Sequence, residues 1–229
     1  MLPKGSATKT PQPALFTLEE STGNLELFPA VWSAIENVIK TEPHLRRKAL
    51  EELKTLNAPR LSPLVAYVLA TRITDPDLEI RAQVIKILGD ILTPDERGHP
   101  APDEVRSVLR NYLSSLRTRQ IFALLQISAM DATAFLPVAR ILDTCSFAGT
   151  HLTAILADVH TPIEIRRQAV ELIGEVGFTD ALPALERLEN RLEARLNGQK
   201  TMPFAPSAAA NESQLLPAIR KTLNILRSP

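Results

Sequence analysis

From Phe28 onward the chain keeps one rhythm: apolar residues recur three and four positions apart, the spacing that puts side chains on one face of an α-helix. Val31, Trp32, Ile35, Val38 and Ile39 share the first such face, and Leu45, Ala49, Leu53 and Leu56 the second. Leu64, Val65, Val68 and Leu69 form a third, followed by Ile80, Val84, Ile87, Leu88 and Ile91. Val105, Val108, Leu109, Tyr112 and Leu116 continue the series, as do Ile121 to Ala129, Phe135 to Leu142, and Leu152, Ile155 and Leu156. Ile165, Ala169, Leu172, Ile173 and Val176 come next, then a leucine seam at 182, 185, 188, 192 and 196, then Leu215, Ile219, Leu223 and Leu226. Nowhere does the strict alternation of a strand compete.

Punctuation falls between these faces. Glu42-Pro43, Ser62-Pro63 and Asp75-Pro76-Asp77 are helix starts, since proline in the first turn loses no needed donor and short polar side chains accept from unpaired amides. Acidic side chains there also suit the positive end of the helix dipole. Thr161-Pro162 with Glu164 has the form of a capping box, Asn57-Ala58-Pro59 reads as a stop, and Gly177 as a helix end. The expectation is about ten or eleven short helices joined by tight turns, an all-α chain of helical hairpins. Residues 1–27 lack this periodicity and read as a loosely packed or disordered tail before a domain over 28–229. The loop 197–211, carrying Met202 and Phe204, exceeds the usual helix connection of about 2 to 8 residues and reads as flexible or as a functional insertion.

Two of the helices repeat. Leu78-Glu79-Ile80-Arg81-Ala82-Gln83-Val84-Ile85-Lys86-Ile87-Leu88-Gly89-Asp90-Ile91 aligns with Ile163-Glu164-Ile165-Arg166-Arg167-Gln168-Ala169-Val170-Glu171-Leu172-Ile173-Gly174-Glu175-Val176 at an offset of 85 residues. Leu45-Arg46-Arg47-Lys48-Ala49-Leu50-Glu51-Glu52-Leu53 is a weaker third copy, 35 residues earlier. Gly89 and Gly174 coincide, and glycine inside a helix costs about 1 kcal/mol against alanine, so both positions suggest close approach of another backbone. The motif resembles the second helix of a HEAT repeat, well at 75–92 and 160–177, fairly at 42–56 and faintly between 103 and 158. That resemblance implies an α-solenoid of about five hairpins in a right-handed superhelix, with second helices lining a concave face. It also implies that an aspartate in the turn and the following arginine tie neighbouring repeats; Asp75 and Arg81 match, whereas His160 stands where a second aspartate is expected.

Composition narrows the chemistry. Apolar residues are 45% and aromatics only 4%, which suits aliphatic helical cores. Twenty-six basic side chains balance 26 acidic ones, so a phosphate-neutralising excess is absent and a nucleic-acid partner is not expected. A lone cysteine, Cys145, permits no internal disulfide and reads as a small core residue, which favours a cytoplasmic setting. The amino terminus lacks a secretory signal core, and no apolar run is long enough to span a bilayer. His44, His99, His151 and His160 are scattered without metal-ligand spacing, and no phosphate loop or nucleophile elbow occurs, so neither catalysis nor a cofactor is expected. A HEAT-type diiron hydroxylase would need repeated His-Glu pairs.

The remaining candidates are surfaces. Opposite the apolar faces of the matched helices lie Arg47, Glu51 and Lys54, then Ala82, Gln83 and Lys86, then Arg167, Gln168 and Glu171. This mixed-charge stripe reads either as a protein- or peptide-binding face or as an ordinary solvated one, and Lys86→Glu is expected to alter binding without altering stability. Arg106, Arg110 and Arg117 share a second face in a stretch without acids from Val105 to Met130, suited to an acidic partner or simply to solvent. Glu186, Glu189 and Glu193 flank the leucine seam opposite Arg187, Arg191 and Arg195, and packing between repeats is the simpler use of them. The function expected is a non-catalytic scaffold or adaptor. A nucleic-acid-associated or ligand-modifying HEAT relative, glycosylase-like or bilin-lyase-like, is the alternative, and oligomeric state is left open.

Overall fold

The computed structural model describes residues 28–197 and 212–228 and is all-helical, with no strand among the described residues. The proposed tail at 1–27, and Met202 and Phe204 of the long loop, lie outside them. Twelve α-helices follow in order: α1 Pro29–Val38, α2 Pro43–Thr55, α3 Ala58–Leu61, α4 Pro63–Ala70, α5 Leu78–Ile91 and α6 Asp103–Leu113, then α7 Thr118–Met130, α8 Phe135–Asp143, α9 Ala148–Ala157, α10 Ile163–Val176, α11 Leu182–Asn197 and α12 Leu216–Arg227. Single 3₁₀ turns lead into α8, α11 and α12. No described helix is long and apolar enough to cross a membrane.

Several boundaries follow from local chemistry. The Ser62 hydroxyl accepts from the Val65 amide at the start of α4, and the Asp77 carboxylate from the Glu79 and Ile80 amides at the start of α5. Gly177 ends α10 at φ 84°, a conformation that penalises any side chain. Other expectations fail. The Thr161 hydroxyl donates to Asp158 instead of capping α10, which begins after Pro162 with no side-chain cap. Asn57, at φ 51°, turns the chain into the four-residue α3 rather than into a plain stop. Trp32 and Ile39 are exposed, the indole N–H donating to Glu36 Oε1 at 2.8 Å; α1 buries only Val31, Ala34, Ile35 and Val38. Leu56 and Leu64 also face outward.

Packing runs in chain order. α1 lies on α2, α2 on α5, α5 on α8, α8 on α10, and α10 on α12, while on the other side α4 lies on α6, α7 on α9, and α9 lightly on α11. One apolar cluster runs through all of them, from Val31 to Leu223, and includes Cys145. Between α5 and α8 the chain places two long helices, α6 and α7, where α4 with the four-residue α3 lies between α2 and α5 and α9 alone lies between α8 and α10.

The two glycines of the repeat sit at equivalent contacts. A Cβ on Gly89 would come within 2.7 Å of Pro137 Cα and Cβ, and one on Gly174 within 3.0 Å of Thr222 Oγ1. Pro137 and Thr222 are themselves 85 residues apart, the same offset as the two glycines.

Candidate interaction surface

Three arginines, Arg46, Arg81 and Arg166, occupy one position of the repeated motif, and all are buried. Each reaches back to a carbonyl before its own helix and forward to the next part of the chain. Arg46 Nη1 donates to the Lys40 and Thr41 carbonyls and its Nη2 to Asp75 Oδ1 at 3.0 Å. Arg81 donates twice to the Asp75 carbonyl, at 3.0 and 2.7 Å, and once to Gln126 Oε1 at 2.9 Å. Arg166 donates to the Leu156 carbonyl at 2.8 Å and to Glu212 Oε1 at 2.7 Å. A buried guanidinium is costly unless its donors are answered, and the planar fork suits two directions at once, although the Arg46 Nε is buried without a hydrogen bond. Asp75 therefore links α2 to the turn before α5, its Oδ1 also accepting from the Asp77 amide, and the first amides of α5 are capped by Asp77.

Sequence reading assigned Arg46 and Arg166 no role, although the same residue at the same place in all three copies was a usable signal. Arg166 takes its acidic partner from Glu212, which also binds Arg191 Nη2 at 3.0 Å and Arg195 Nη1 at 2.5 Å. Burial pushes the Glu212 carboxyl up, but the Arg166 hydrogen bond and the charges of Arg191, Arg166 and Arg195 outweigh it and hold it below its ordinary value.

The stripe is largely engaged within the chain. Arg47 pairs with Asp77 at 2.6 Å and Glu79 at 3.1 Å, and Lys86 with Asp131 at 2.7 Å. The Lys86 hydrogen bond, helped by Thr133, draws the Asp131 carboxyl down to about 2. Gln168 accepts from Ser128 and donates to Glu171, whose carboxylate lies 4.0 Å from Arg167 Nε. Among the described residues Glu51 is exposed without an ion pair, and the Gln83 carbonyl oxygen is buried without a hydrogen bond. The expected three-helix strip is also interrupted, because α8 lies between α5 and α10. Shallow grooves lie beside the strip, and only Lys54 of its residues lines one: a groove of about 280 Å³ between α8 and α10 is lined by Leu136, Ala139, Arg140, Asp143, Glu175 and Val176. A smaller one lies by Lys54, Arg60, Ile87 and Asp90.

No known family, curated protein or solved structure matches the chain.

The basic face dissolves on inspection of the helices. α6 ends at Leu113, so Arg117 stands before α7, its backbone N–H bonded to Gln120 Oε1, and does not share a helix face with Arg106 and Arg110. Arg106 is half-buried and pairs with Asp103, whereas Arg110 and Arg117 are exposed without ion pairs among the described residues. The Glu flank of α11 is engaged in packing, Glu186 with Arg227 and Glu189 and Glu193 with Arg220, and Arg191 and Arg195 of the other flank pair with Glu212, whereas Arg187 is exposed. His151 bonds Thr118 and His99 lies by Asp95, and no described group of His, Cys, Asp and Glu could hold a metal.

Proposed function

We propose that the chain is a HEAT-like α-solenoid of about five hairpins in a right-handed superhelix, working as a non-catalytic scaffold or adaptor that binds another protein. The observation that supports this most is the series Arg46, Arg81 and Arg166, each bonding its own turn and the next part of the chain from the same motif position. Hairpins linked in that manner need their neighbours to complete a core, and they present an extended face of second helices. On that face Lys54 and Arg140 lie among Glu51, Asp143 and Glu175, a mix of signs that suits the side chains of a protein better than a run of phosphates. A cytoplasmic setting belongs to the same proposal.

Photo-crosslinking tests it. A photoreactive side chain at Lys54 or Arg140, in cells that make the protein, should yield one shared protein adduct that is absent when the probe sits at Ser107 on α6. Nucleic-acid adducts at those positions, with affinity collapsing by orders of magnitude between low and moderate salt, would favour the nucleic-acid alternative instead.

A further inference from the structure

The side formed by α4, α6, α7, α9 and α11 is not equally closed along its length. α4 and α6 pack closely, whereas α9 and α11 meet only lightly and leave a cleft of about 360 Å³. Leu156 and Ala157 of α9 and Ala184 and Leu188 of α11 supply an apolar floor, with Thr153 beside them and Arg187 and Arg191 at the rim. The charges of α11 are sorted between its flanks. Its acids are consumed by Arg220 and Arg227 of α12. On the other flank Arg191 and Arg195 share the single Glu212 carboxylate with Arg166, so three guanidiniums meet one negative charge. Among the described residues Arg187 has no ion pair and donates only to the Pro183 carbonyl of its own helix. Asp158, at the end of α9, is turned to the His160 amide and the Thr161 hydroxyl. A greasy floor thus lies under an under-neutralised basic rim.

We propose that this cleft docks an acidic peptide segment of a partner protein. An aliphatic or aromatic anchor would sit on Leu156 and Leu188, and flanking Asp or Glu carboxylates on Arg187 and Arg191. Charge complementarity selects the occupant: an anchor without acids leaves the arginines unanswered, and a phosphate backbone leaves the floor empty. The assignment rests on the scaffold reading and gives it a second surface, apart from the mixed-charge face of α2, α5, α8 and α10.

A phage-displayed library of random linear peptides, selected on the full chain, is the test. Enriched peptides should carry a large apolar residue between acids and lose about tenfold or more in affinity to Arg187→Glu and to Ala184→Trp, which fills the cleft. Lys54→Glu should leave them bound. Ala157→Trp, at an exposed position on the opposite wall, replaces Ala184→Trp if that variant does not fold. Peptides that are basic, or that bind the filled variants as well as the parent, overturn the proposal. Peptides lost only in Lys54→Glu overturn the cleft but leave the scaffold reading standing. If the parent selects nothing while a chain with 198–211 replaced by a Gly-Ser linker selects acidic peptides, the occupant is the chain's own segment and the partner assignment fails. It fails equally if neither selects any.

Discussion

Arg46 is a charged side chain held almost wholly out of water, with its partner Asp75 no more exposed. Removing one member of such a pair strands the other, so Arg46→Ala should cost about 3–5 kcal/mol in urea unfolding, far more than an exposed charge deletion. A loss under about 1 kcal/mol would mean that the link does not hold the hairpins. Lys86 belongs to a different class. Its pair with Asp131 is partly exposed, and Lys86→Glu sets two carboxylates together, so stability should fall by up to about 1 kcal/mol rather than stay unchanged. The pH dependence has a defined sign. Asp131 titrates lower in the folded chain than its ordinary 3.8, so its contribution is complete above that value and disappears as pH falls through about 2. Carboxyl NMR should give a midpoint near 2 that climbs towards 3.8 in Lys86→Met; an unchanged midpoint would remove Lys86 as the cause.

At the scale of elements, the glycines offer a graded prediction. Alanine at either site gains about 1 kcal/mol in helix propensity. At 89 the new methyl meets the backbone of Pro137, which cannot yield without moving α8, and overpacking of about 1–3 kcal/mol should leave a net loss. At 174 it meets the Thr222 side chain, which is bonded to the Val170 carbonyl but can turn, so the loss should be smaller. Chemical denaturation of Gly89→Ala and Gly174→Ala checks the order, and the reverse order would contradict the packing described. Most helices were legible in the sequence because long periodic runs such as 78–91 and 163–176 report burial directly. What escaped has physical reasons. Periodicity finds an apolar face but not whether a neighbour covers it, hence exposed Trp32, Ile39 and Leu56. Hydrophobicity also ranks a buried arginine as polar, hence the missed roles of Arg46 and Arg166. Arg106, Arg110 and Arg117 were grouped on one face because the spacing was extended past Leu113, where α6 stops.

For the whole molecule, the proposed serial stacking of helices predicts that stability is local. A perturbation at α12 should be felt by α10 and α11 and fade towards α2, as in a one-dimensional stack. The surface proposals inherit this geometry: both the mixed-charge face and the α9–α11 cleft exist only if successive helices lie side by side. The stripe residues were legible as exposed, but not their internal partners, because Asp77, Glu79 and Asp131 come to them from neighbouring elements. Native-state hydrogen exchange on Leu223→Ala tests the serial arrangement most directly, since Leu223 is buried in α12. The account predicts faster amide exchange in α10, α11 and α12 with protection in α2, α4 and α5 unchanged. An equal loss of protection in α2 and α5 would show a single cooperative globule and contradict it.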